Sequence, residues 1–318
     1  NYTRAIHDES EYEITNLAMY EYEVGNPSAP KRVFTYDKNS GSNSLKLNVG
    51  ENGAYSFSIQ IPAEYDGSKY SYLFVANDPE MISYSGALTD LKGSLSDKII
   101  PSDGPSSAKY NGGILSAFGM PMTGIAKVNS EEEFVMESGL TCSVELVRAV
   151  SRIDMKYEVP NLKLTNVEFR GCPQSGYLFA QSAVTTPSAK RVTLNLSEWQ
   201  LPSEYLQNIE DQKEWKCEKA FYVYERPNTE TDSAIVHIEY EVWLNDQAYP
   251  GSVDIPFKRT SGDGAYVDIL RNHRYTIVLG NGDEAIGGKV TAKLIFDEWE
   301  GNDYNDSISD EDPVKDAE

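Results

Sequence analysis

The chain has 318 residues, 40% of them hydrophobic and 25% charged, with a formal net charge of −22. That length exceeds one ordinary β-sandwich and suits two, and no run approaches the roughly 18 apolar residues of a membrane-spanning helix. A surface this acidic repels phosphate backbones and anionic lipid heads, and no basic stripe offsets it, which argues against nucleic acid as a partner.

In chain order the sequence reads as strands almost throughout. Ala54 to Pro62 places Tyr55, Phe57, Ile59 and Ile61 on one face and small or polar residues on the other. This period of two marks a strand with one buried face. Asn52-Gly53, Asp66-Gly67, Asn111-Gly112 and Asp263-Gly264 punctuate the strands as turns. Between Ala87 and Ser96, Leu88, Leu91 and Leu95 fall at helical spacing, weakened by Gly93.

From Leu140 to Pro160 the apolar phase changes. Cys142, Val144 and Leu146 share one phase; Val147, Ala149, Ile153, Met155, Tyr157 and Val159 share the other. A one-residue slip between Leu146 and Val147 turns every later side chain to the opposite face, so either a bulge sits here or the chain leaves one sheet for another. A domain boundary is expected at this point, dividing the chain into residues 1–146 and 147–318 with a direct, hinge-limiting connection.

Alternation resumes at Val192, Leu194 and Leu196, at Val236, Ile238, Tyr240 and Val242, and at Val290, Ala292, Leu294 and Phe296. Ser203 to Glu210 reads as a short capped helix. From about residue 300 the chain is polar and acidic, with little apolar periodicity, and reads as a solvated tail.

Side-chain chemistry is sparse. Of the three histidines, His7 lies in a polar stretch, His237 on the face opposite Val236 and Ile238, where solvent is expected, and His273 in a turn. No nucleophile elbow, zinc-protease, phosphate-loop or dinucleotide motif is present, and no enzyme, cofactor or metal site is expected. Glu131 to Glu133 reads as a solvated loop, and Asp303 to Ser307 lacks the glycine and terminal glutamate of a calcium loop. Cys142, Cys172 and Cys217 form no close pair and read first as buried small hydrophobes, ahead of a disulfide with one thiol left over. The 21 tyrosines suit half-buried strands, ring in the core and hydroxyl in water.

Several segments, in order and spanning nearly the whole chain, carry a resemblance. They are Thr3-Arg-Ala5, Glu11 and Ile14-Thr-Asn-Leu17; Leu73-Phe-Val-Ala-Asn77; and Met120-Pro-Met-Thr-Gly124. Val144 to Asp154, Ala220 to Glu225, Arg271 to Tyr275 and Trp299 follow. Together they resemble the fimbrillins, the type V pilins and related surface lipoproteins of Bacteroidales-type bacteria.

The resemblance implies an all-β fold of two tandem transthyretin-like β-sandwich domains with few short helices. It also implies export as a lipoprotein, a place on a cell-surface fimbrium or the outer membrane, and assembly with other fimbrial subunits by strand exchange. A trypsin-like cut at Arg4-Ala5 would remove a first strand and open an apolar trough. Arg148-Ala149 repeats the dipeptide inside an expected buried strand, where no protease binds it. Pilins of this kind donate a C-terminal strand, but beyond Trp299 only Tyr304, Ile308 and Val314 are appreciably apolar. The chain is therefore expected to accept a strand better than it donates one, as a tip or accessory subunit. The rival expectation is a surface lipoprotein that binds a glycan or host protein through exposed tyrosines.

Overall fold

The computed structural model describes residues 11–49, 55–59, 67–97, 119–137, 139–157, 162–187, 190–195, 215–244, 247–259, 264–280 and 291–298. Among them the structure is all-β in several sheets, with one short α-helix. The first sheet centres on β1 (Asn16–Glu23), flanked by β2 (Arg32–Asp37) and β5 (Lys69–Ala76). Beyond β5 come β7 (Met122–Lys127) and the short β10 (Val147–Arg148), while β8 (Phe134–Val135) and β9 (Ser143–Val144) pair with β5 and β7.

β1 is buried on both faces, because each apolar phase has its own core. Leu17 and Met19 join Tyr70, Tyr72, Phe74 and Phe134 in one cluster. The hairpin of β3 (Leu45–Val49) and β4 (Tyr55–Ile59) packs against that cluster. Ala18, Tyr20 and Tyr22 face the other way, toward Met81, Leu91, Leu178 and Phe179. Met81 comes from a 3-10 turn (Pro79–Ser83) and Leu91 from the helix α1 (Leu88–Lys92).

The second half is a sandwich of two four-stranded sheets. One orders β15 (Trp215–Tyr224), β11 (Val150–Tyr157), β18 (His273–Gly280) and β19 (Thr291–Glu298). The other orders β14 (Arg191–Asn195), β12 (Leu162–Pro173), β16 (Ile235–Leu244) and β17 (Gln247–Pro256). β11 and β18 run parallel and the other pairs antiparallel. Ile153, Phe221 and Ile277 from the first sheet share one core with Val167, Phe169 and Ile238 from the second. The Phe169 ring lies 5.6 Å from Phe221 and 5.7 Å from Phe257, in tilted and edge-on contact.

Most expected strands form with the expected faces. Tyr55, Phe57 and Ile59 point to the core, and Val236, Ile238, Tyr240 and Val242 are buried. Ile61, Leu196, Val290, the helix at Ser203, the Asp303 segment and the tail lie outside the described residues.

Three expectations are corrected. Leu95 does not share the helix with Leu88 and Leu91. The helix ends at Lys92, capped by the Gly93 N–H, and Leu95 enters β6 (Leu95–Ser96), which pairs with β13 (Gly176–Tyr177). His237 is largely covered, its side chain 14% exposed, because Asp254 on the neighbouring strand approaches Nδ1 to 2.6 Å. The deeply buried tyrosines do not send their hydroxyls to water either. Tyr22 donates to the Gly86 carbonyl at 2.9 Å, Tyr72 to Glu21 at 3.1 Å and Tyr275 to the Asp268 carbonyl at 3.2 Å. Internal acceptors replace the solvent these rings have left.

At the phase change, Ser143 and Val144 pair with Lys127 and Ala126, and Val147 and Arg148 with Thr123 and Met122, at one constant offset along β7. No extra residue is inserted. The chain instead changes sheet at Ala149, whose N–H bonds the Pro121 carbonyl at 2.9 Å, and Val150 begins β11.

A candidate assembly surface and two buried clasps

Half-buried residues pack against one core of the first half. Among them are Leu47, Tyr55, Phe57 and Ile59 from the hairpin and Leu140, Cys142, Val144 and Leu146 from the segment that leads into β10. From Gly139 to Leu146 the chain alternates strictly between exposed and half-buried residues. The inward set is thus an apolar comb at strand spacing, and partial exposure leaves it able to take further apolar contact. Burial pushes the Cys142 thiol upward, so it stays protonated and behaves as a small apolar group. Cys142 and Cys172 are both free, and Cys172 is fully buried.

Two buried polar clasps join the first half of the chain to the second. In one, Glu11, 2% exposed, accepts from Arg152 Nη1 at 3.0 Å and from the Tyr222 hydroxyl at 2.8 Å through a single carboxylate oxygen. Arg148 Nε donates to the Glu11 carbonyl at 3.1 Å and Nη1 to Asn272 Oδ1 at 3.0 Å. Asp154 takes the Arg152 Nε at 2.7 Å. Burial works against the charge on Arg152, but Asp154 and Glu11 outweigh it and push its pKa up. Burial, then the Glu11 carboxylate, push the Tyr222 hydroxyl far above the tyrosine range, so it remains a donor.

In the second clasp, Arg271 grips Glu225 with two bonds, Nε to Oε2 at 2.9 Å and Nη2 to Oε1 at 2.6 Å. Its remaining donors reach the Leu178 and Tyr177 carbonyls at 2.7 and 2.9 Å. Leu178 is also held by Thr123 Oγ1 at 3.0 Å and sits in a core of the first half. Tyr224 closes the set on Ser96 Oγ at 3.2 Å.

Asn77 is a third joint. Its φ of 61° turns the side chain back so that Oδ1 accepts from the Thr15 N–H at 2.9 Å while Nδ2 donates to the Glu13 and Met120 carbonyls, each at 2.8 Å. The segments singled out in the sequence thus meet in space. Glu11, Asn77, the Met120 to Gly124 segment, Arg148 to Asp154, Tyr222 to Glu225 and Arg271 to Tyr275 form the joints between β1, β5, β7 and the second half. Their individual bonding roles were missed from sequence. The available signal was a charge set within otherwise apolar strands, as at Arg148, Arg152 and Asp154.

Arg4 and Ala5 lie outside the described residues. Ala149 is fully buried and Arg148 nearly so. Among the described residues no group of three or more His, Cys, Asp or Glu could hold a metal, and no helix is long and apolar enough to cross a membrane. Glu131 to Glu133 are exposed, as expected of a solvated loop.

Fold and joints together define a class: an all-β chain of stacked sheets, clasped across its middle by a buried ion pair and buried hydrogen bonds. No protein-family model matches the sequence, and no curated protein matches it. Solved structures do share the fold. The tip fimbrial protein Mfa3 from Porphyromonas gingivalis, determined with a C-terminal truncation, is 14% identical over 91% of this chain and 96% of its own, with a TM-score of 0.53. A fimbrial assembly protein from Parabacteroides distasonis is 13% identical over 93% of this chain and 94% of its own, with a TM-score of 0.52. At these identities the likeness is one of fold, and the fold is that of these fimbrial proteins.

Proposed function

We propose that the protein is a non-catalytic subunit of a cell-surface fimbrium, exported as a lipoprotein and assembled by taking up a strand from a partner subunit. The carrying observation is the half-buried apolar comb at Leu140, Cys142, Val144 and Leu146, packed against the same core as Phe57 and Ile59. A guest strand with alternating apolar side chains matches that spacing. Five such side chains contribute on the order of 10 kcal/mol before entropic costs, from roughly 1.5–3 kcal/mol each. The fold shared with fimbrial proteins of similar length supports the reading.

Two finer features belong to the same proposal. A trypsin-like cut after Arg4 frees the trough, and the polar segment after Trp299 makes this subunit an acceptor, at a tip or accessory position rather than in a repeating stalk. The division into units of residues 1–146 and 147–318 is part of it too. A glycan- or protein-binding role through tyrosines draws less support: among the described residues Tyr249, at 42%, is the one exposed tyrosine.

The test is to express the tagged precursor on the surface of its native host and resolve tagged species on SDS gels without boiling. Larger, heat-sensitive species are expected, and Val144→Asp combined with Phe57→Asp should abolish them while the chain remains folded. Ladders formed by purified cleaved protein alone, and dependent on residues after Trp299, would overturn the acceptor role.

A further inference from the structure

Glu11 is an acidic side chain buried where an unpaired carboxylate is costly. Its three donors, Arg148, Arg152 and Tyr222, stand 137, 141 and 211 residues along the chain on β10, β11 and β15. Neither arginine relies on Glu11 alone, since Arg148 also binds Asn272 and Arg152 also binds Asp154. The socket is therefore built by the second half and the sheet switch, and Glu11 is the guest. Withdrawing Glu11 strips a buried carboxylate of its partners and leaves two buried guanidiniums short of an acceptor. Just downstream, Asn77 pins the Glu13 carbonyl and the Thr15 N–H at the entry to β1.

We propose that Glu11 is an N-terminal latch. It fastens the entry to β1 to the second half, so that β1 stays seated in the sheet whatever becomes of the residues before Glu11. The latch takes its biological occasion from the processing reading above, but its geometry is independent of it. It also makes the cohesion of β11 and β15 depend on a residue far away in sequence.

Hydrogen exchange read by mass spectrometry tests this on the full chain, on the chain lacking residues 1–4, and on Glu11→Gln and Glu11→Ala variants. Loss of residues 1–4 should leave protection in β1 and β11 unchanged. Glu11→Ala should speed exchange on the order of a hundredfold in residues 11–18 and also in β11 and β15. Glu11→Gln keeps an acceptor for Tyr222 and should give a smaller change in the same places, which covers the case of an alanine variant that does not fold. Faster exchange confined to residues 11–18 in both variants would overturn the latch, as would loss of β1 protection on deleting residues 1–4. The processing reading is scored apart from this, by the mass of the mature N-terminus. A start other than Ala5 defeats that reading and leaves the exchange result to decide the latch.

Discussion

Arg271 shows how much one side chain holds. Its guanidinium spans a carboxylate and two carbonyls, and arginine's planar fork supplies donors in those directions at once. Replacing it with alanine leaves Glu225, 5% exposed, as an uncompensated buried charge. Arg271→Ala should lower the unfolding free energy by roughly 3–5 kcal/mol in urea titration. Arg271→Lys should recover only part of that loss, because one ammonium cannot serve the Tyr177 and Leu178 carbonyls and both Glu225 oxygens. Full recovery by lysine would show that charge alone, not the fork, holds the loop. The residue was legible in sequence as part of a recognised segment, but its partners were not. Leu178 and Glu225 are distant along the chain, and nothing local announces a carbonyl as an acceptor.

Among the elements, the run from Ser143 to Arg148 shows why sequence located the phase change and left its nature open. A bulge and a change of sheet produce the same slip in apolar phase; only the partner register separates them, and here β9 and β10 keep one offset along β7 up to Arg148. The run lies tight against β7 because Gly124 has no side chain: a Cβ there would collide with the Glu145 carbonyl oxygen and crowd Val144. Gly124→Ala should therefore push β9 outward, at a cost of about 1–3 kcal/mol in thermal or urea unfolding. It should also weaken any partner strand that uses Val144. An alanine variant as stable as the parent would mean the backbone at Glu145 moves freely, and the comb would then be a poor template. The helix expected to carry Leu95 failed for a related reason. Gly93 stops it, and β13, arriving from the other half, offers Leu95 and Ser96 a strand partner that no local pattern contains.

At the scale of the whole molecule the two clasps have a cooperative consequence. Met120 packs in the core of the second half and Leu178 in one from the first, so neither half completes its interior alone. Calorimetry should record one unfolding transition for the parent chain. Combining Glu11→Ala with Arg271→Ala should split it into two, and a parent that already melts in two steps would deny the coupling. By itself, the sequence determined the all-β class, the strand faces and the position near residue 147 where the chain changes sides. These follow from the period-two alternation of apolar residues, a property each strand carries locally. Tertiary structure alone decided where the buried polar groups go. A charged residue within an apolar strand is a debt in free energy that any distant partner can cancel, and only the packed fold brings Glu11 to Arg152 and Tyr222, and Arg271 to Glu225.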